Sequence, residues 1–207
     1  MPTAKAKGST NFDPVPEGLH IGVCYAVIGL GTQEVMFKEK KKLIDKVCLI
    51  WELPDVEKID IDGVMLPRVI SNIYTNSIHK KAILRQHLES WRGKAFTDEQ
   101  LEGFNLDVLL GANCQIQVIH NHADGNTYAN ISTIVNVPAN HKKVASENPP
   151  VVYDIGNPIP EDKIPSWLVD KIKEAQEWKV TGTDAKSEPS YDEKPPVPDE
   201  ASSVEPF

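Results

Sequence analysis

No stretch of this 207-residue sequence approaches the roughly 20 consecutive apolar residues of a membrane-crossing helix, so no membrane partner is expected. The first residues, Met1 to Ser9, hold Lys5 and Lys7 but no apolar segment behind them, and no secretory leader is expected. Cysteine is scarce. Cys24, Cys48 and Cys114 are far apart in apolar surroundings, and none forms a C-x-x-C pair. Neither a zinc knuckle nor a disulfide framework is suggested, and buried, reduced thiols in a cytoplasmic protein are expected. Catalytic motifs are also missing. Gly29-x-Gly31 lacks the third glycine and following helix of a dinucleotide fingerprint, and there is no phosphate-binding Gly-Lys-Ser/Thr loop and no G-x-S-x-G elbow. His120 and His122 share a strand face beside Asp124, but no third ligand stands at motif spacing. Neither an enzyme, nor a cofactor, nor a metal site is expected.

The net charge of −8 is unevenly spread. Residues 1–148 hold 16 basic and 17 acidic side chains, whereas residues 149–207 hold six and 13. The body is near neutral with local basic clusters, and the acid is exported to the C-terminal end. Negative charge therefore does not exclude a polyanionic partner for the body.

The pattern up to residue 148 is mainly β. Residues 1–16 read as a flexible arm. Leu19 to Leu30 is apolar and β-branched, a first strand bent or bulged at Gly29 and Gly31. A second strand covers Leu43 to Leu53, with Leu43, Val47, Leu49 and Trp51 on one parity, and a third runs from Met65 to Tyr74. The period then changes to helical from Ile78 to Trp91, ending at Gly93. Thr97 caps a second short helix with Gln100 at the capping-box position. Two strands follow, Cys114 to Asn121 and Tyr128 to Val137, turned by Asp124-Gly125-Asn126. Three strands, a helical insert and a two-stranded hairpin are the element order of a five-stranded OB-like β-barrel, expected here over residues 17–148. A six-stranded sandwich and an SH3-like barrel stay open. Residues 149–180 read as an extension holding an amphipathic helix, 165–178, with Trp167, Leu168, Ile172 and Ala175 on its apolar face. Residues 181–207 have no periodicity and are expected to be a disordered acidic tail.

That tail carries seven acids against Lys186 and Lys194 and ends in Glu205-Pro206-Phe207. A solvated tail has no use for a terminal Phe, whereas an aromatic with a free carboxylate suits a basic-rimmed apolar pocket on a partner. An acidic, proline-containing tail ending in Pro-Phe resembles the C-terminal tip of bacterial and phage single-stranded-DNA-binding proteins. The stretches Leu88 to Lys94 and Phe104 to Asp107 are similar to small OB-fold phage replication proteins. The resemblance implies that Glu205, Pro206 and Phe207 recruit replication or recombination proteins in a bacterial host cell, and that the tail competes with DNA for the body.

Binding a single strand requires flat apolar faces for the bases and cations for the phosphates. Phe37 with Lys38, Lys40, Lys41 and Lys42 offers both in the turn between the first two strands. Arg68, Tyr74, Lys80, Lys81, Arg85 and Tyr128 complete the candidate set, with the strand laid across the second and third β-strands. The expected function is sequence-tolerant single-stranded DNA binding in replication or recombination. The alternative is a phage structural or assembly adaptor protein whose tail only solubilises it. The oligomeric state is left open, a homo-oligomer included.

Overall fold

A computed structural model describes residues 13–181. The tail residues Glu205, Pro206 and Phe207 and the first 12 residues lie outside that range. The described chain is mainly β. Its elements in order are β1 (Gly18–Phe37), β2 (Lys40–Glu52), β3 (Ile59–Ile61), β4 (Val64–Leu66), β5 (Val69–Thr75), α1 (Ile83–Arg92), α2 (Asp98–Glu102), β6 (Asn113–Ala123), β7 (Asn126–Val135), β8 (Val151–Tyr153), α3 (Ser166–Lys173) and α4 (Gln176–Thr181). A 3₁₀ turn at Leu106–Leu109 precedes β6.

The main sheet runs β5-β2-β1-β6-β7, antiparallel throughout, with β8 added in parallel to β1. Its edge strands β5 and β7 share no ladder, so the sheet is six-stranded and does not close into a barrel. The helix α1 packs against both edge strands, and its Leu84, Leu88 and Trp91 are buried in the core between them. The predicted third strand is divided. Pro67 has no N–H for a ladder, and Val64–Leu66 pairs instead with β3 in a separate hairpin. The first helical turn predicted from Ile78 is a loop, since α1 begins at Ile83.

Local chemistry sets several boundaries as expected. Ala123 pairs with Asn126 across Asp124 and Gly125, both at positive φ, the two-residue turn that matches strand twist. Thr97 Oγ1 accepts the Gln100 N–H while Gln100 reaches back to the Thr97 N–H. Gly31, at φ +65°, marks a β1 bulge that the residues joining α3 and α4 pack against: a Cβ there would meet Ala175 at 3.0 Å.

Two cores lie on opposite faces of the central strands. Cys24, Val47, Leu49, Trp51, Tyr74 and Cys114 face α1. Ala26, Ile28, Leu30, Cys48 and Ile50 face the other way, under β8 and α3. Burial pushes the Cys24 and Cys48 thiols up to about 12 and raises Cys114, which leaves all three unreactive. The C-terminal segment docks in cis on this second face through Leu168, Val169 and Ile172, but the predicted 165–178 helix is broken after Lys173. The break lets the Glu177 carboxylate accept from the Thr32 N–H at 2.9 Å and its hydroxyl at 2.6 Å. Trp167, placed on the apolar face by its spacing, is 44% exposed, and Val169 takes the buried position.

His87 of α1 bridges the seam between the edge strands. Its Nδ1 lies 2.9 Å from the Tyr74 hydroxyl on β5, and the ring also meets the Ser132 backbone on β7. Burial lowers its pKa from the ordinary 6.5, partly opposed by the Ser132 contact. A lowered folded-state value means the native state binds fewer protons than the unfolded chain. The stabilisation is complete above the unfolded value and is lost as pH falls through the folded one. Urea midpoints should therefore drop between about pH 7.5 and about pH 5.5. In His87→Gln that drop should be smaller; an equal drop would place the titrating group elsewhere.

Candidate nucleic-acid interface

The basic segment is a strand rather than a loop. Phe37 pairs directly with Lys40 across a two-residue turn, Lys38-Glu39, in which both residues have positive φ without being Gly or Asn. Lys40, Lys41 and Lys42 thus lie on β2, where alternation separates them. Lys40 and Lys42, with Phe37 and Val35 opposite, occupy one face of the arm. Lys41 points to the other face with Met36 and Glu34, and its Nζ is held by the Glu34 carboxylate at 2.8 Å. That contact raises the Lys41 pKa and lowers that of Glu34.

On the first face, Phe37 is 51% exposed, with Lys42 Nζ 4.4 Å and Lys38 Nζ 5.7 Å from its ring centroid. The same parity continues along β2 to Lys46. Lys40 and Lys42 lie about 7 Å apart on this face, and Lys46, beyond Ile44, completes the row about 13 Å further along the strand. Among the described residues none of these three, nor Lys38, Lys80 or Lys81, forms an ion pair with an acid, whereas Lys41, Lys58, Arg85 and Lys173 do. The arm is thus an exposed aromatic set among cations that lack a protein counter-ion.

Lys46 pairs opposite Thr75, and there the row reaches a cleft of about 670 Å³. Its walls include Lys46, Asn72, Thr75, Ser77, His79 and Lys81, with Ile73 and Ile83 as apolar surface. The start of α1 forms part of the rim through Ala82 and Ile83, without a side-chain cap or an acid in its first turn. Lys80 is exposed beside it.

Other sequence candidates are placed differently. Tyr74 is 3% exposed and committed to His87, so its ring is not a stacking platform. Even positions of β2 face the second core, and odd ones, opposite Tyr74, the first. Arg85 Nε is held by Glu89 at 2.9 Å and its Nη1 by the Ile78 carbonyl, and its guanidinium lies 5.9 Å from the Phe96 centroid. It ties the loops before and after α1 to the helix. Arg68 donates to the Asp13 carbonyl at 2.6 Å, just before β5 and so some 20 Å along the strand from Thr75. Tyr128 is 49% exposed, near the β6–β7 turn on the opposite edge strand. The β2–β5 face is not open along its length either, because Cys48 and Ile50 are buried beneath the C-terminal segment and Glu52 beneath residues 147–148. Sequence reasoning missed Lys46 and His79. Lys46 was within reach, since Lys40, Lys42 and Lys46 share one parity once the segment is taken as a strand.

His120 Nε2 lies 2.8 Å from the Val15 carbonyl oxygen and His122 Nδ1 3.0 Å from Thr127 Oγ1. Among the described residues no three His, Cys, Asp or Glu side chains are grouped to hold a metal, and no helix is long and apolar enough to cross a membrane. Neither protein-family models nor curated proteins yield a match to this chain.

Proposed function

We propose that this protein binds single-stranded DNA without sequence preference, as a non-enzymatic, cytoplasmic component of DNA replication or recombination. The observation that carries the reading is the β1–β2 arm, with exposed Phe37 flanked by Lys38, Lys40 and Lys42 and continued by Lys46. A half-exposed ring accepts any base by stacking, and unpaired cations at strand spacing accept successive phosphates. The order β5-β2-β1-β6-β7, with α1 joining β5 to β6, supports an OB-like body in which α1 fills the gap between the edge strands. The acidic segment beyond residue 181, ending in Glu205-Pro206-Phe207, serves as the docking peptide for a replication or recombination partner and as a competitor for the cationic arm.

Fluorescence polarisation with labelled oligo-dT tests the reading. The full chain should bind at low salt, with log K falling by about 0.7 per phosphate contact for each tenfold rise in salt, and should bind duplex DNA more weakly. A chain ending at residue 181 should bind oligo-dT more tightly than the full chain. No binding at low salt, or equal affinity for duplex, would leave an adaptor protein with a solubilising tail as the better account.

A further inference from the structure

The inner end of the cation row opens into the cleft between β5 and the start of α1. We propose that this cleft is a nucleotide subsite, taking one phosphate on Lys46 and Lys81 and the adjoining sugar and base on Ile73 and Ile83. This inference rests on the strand-binding reading and adds a seat, open to solvent between β5 and the start of α1, at which a single nucleotide unit is held by its phosphate as well as by apolar contact. The volume, about 670 Å³, falls within the range of small-ligand sites.

The lining has the chemistry of an anion site. No carboxylate contributes to it. Asp45, the neighbour of Lys46, does not line the cleft, and its carboxylate accepts from Asn76 Nδ2 at 2.7 Å. The Lys46 ammonium has only a 3.5 Å contact with the neutral Thr75 hydroxyl. His79 Nδ1 accepts the Lys81 N–H at 3.4 Å, which leaves Nε2 as the ring's remaining polar atom. Two cations without an acid among the lining residues, together with hydroxyls that can donate, have the chemistry to hold an anion by charge-assisted hydrogen bonds. Ile83 is 55% exposed beside them, an apolar surface that a solvated lysine cluster does not require but a sugar or base does.

The phosphate could belong to an internal diester or to a terminal monoester, and the test separates the two. Full-length ¹⁵N-labelled protein is titrated with thymidine 5′-monophosphate and, separately, with thymidine. Amides of Thr75, Ser77 and Lys81 to Leu84 should shift with the nucleotide and stay in place with the nucleoside. The shifts should vanish in Lys46→Ala/Lys81→Ala and in the bulkier Lys46→Gln/Lys81→Gln. Both double variants should bind oligo-dT of about 15 nucleotides roughly three- to tenfold more weakly, with the salt slope reduced by about 0.7, the share of one phosphate contact. Tighter binding of 5′-phosphorylated oligo-dT by the wild type alone assigns the terminal monoester; equal binding of both oligonucleotides assigns the internal diester. Absence of cleft shifts, or wild-type oligo-dT affinity in both double variants, overturns the subsite. Were oligo-dT to be bound and weakened only by arm substitutions, the strand-binding reading would stand and the subsite fall. Cleft shifts without any oligo-dT binding would do the opposite, keeping a mononucleotide site and removing the strand-binding reading.

Discussion

Replacing Phe37, Lys40 and Lys42 together by alanine is expected to weaken oligo-dT binding by about 100-fold without lowering thermal stability. Stacking of one base on an aromatic is worth about 1–3 kcal/mol, and each exposed cation adds up to about 1 kcal/mol. The sum of about 3 kcal/mol corresponds to that factor. The side chains are exposed, so little packing is lost. Lys41→Ala is the internal control. Lys41 has the same charge and lies between Lys40 and Lys42, yet it occupies the opposite face and is paired with Glu34 at 2.8 Å. Its removal should change affinity by less than about twofold. If Lys41→Ala weakened binding as much as Lys40→Ala or Lys42→Ala, the cations would be acting as an undirected cloud and the face assignment would be wrong.

Glu52→Ala is expected to produce the largest loss of stability, about 3–4 kcal/mol, and a fall in Tm of about 10 °C. Glu52 ends β2 and is 1% exposed. Its two carboxylate oxygens accept from the Glu147 N–H at 2.8 Å, the Asn148 N–H at 2.9 Å and Asn148 Nδ2 at 2.6 Å. Alanine leaves these donors without their partner, and the cost of an unsatisfied buried donor exceeds the net worth of the bond it made. Glu52→Gln separates shape from charge. The glutamine oxygen serves part of the set, but its NH₂ faces an N–H donor, so a loss of about 2 kcal/mol is expected. Differential scanning calorimetry with a urea titration measures both variants. A shift of under about 2 °C for Glu52→Ala would show that the contact contributes nothing. The segment it holds leads into β8, which pairs with Ala26, Val27 and Ile28 of β1. Loosening Glu147–Asn148 should thus also loosen the layer that covers Cys48 and Ile50.

These two sites differ in how far a linear reading reaches them. The Asp124-Gly125 turn and the Thr97 capping box are local devices, completed within four residues, so residue types announce them. The Lys38-Glu39 turn uses the same backbone conformation without Gly or Asn, and nothing in its composition marks where the strand resumes. A cationic turn and a cationic strand have the same composition but different consequences, because only the strand sorts Lys40 and Lys42 from Lys41. Tyr74 and Glu52 were opaque for another reason. Tyr74 has the exposed aromatic's chemistry, but the register opposite Val47 turns it toward α1 and His87. Glu52 has the composition of a surface acid at a strand end, and only the return of residues 147–148 over it makes it a buried acceptor.

By itself the sequence determined the β-rich body with a helix inserted before the last hairpin, the apolar parity of the central strands, and the separation of a near-neutral body from an acidic tail. Those features follow from period, turn chemistry and charge count, which are properties of neighbours along the chain. The tertiary structure alone decided that the sheet stays open between β5 and β7, that the C-terminal helices cover the far face of β1 and β2, and which lysines share a surface with Phe37. Each of these depends on register and on contacts between residues far apart in the chain. A shift of one residue in a strand reverses every side chain, and no composition records it.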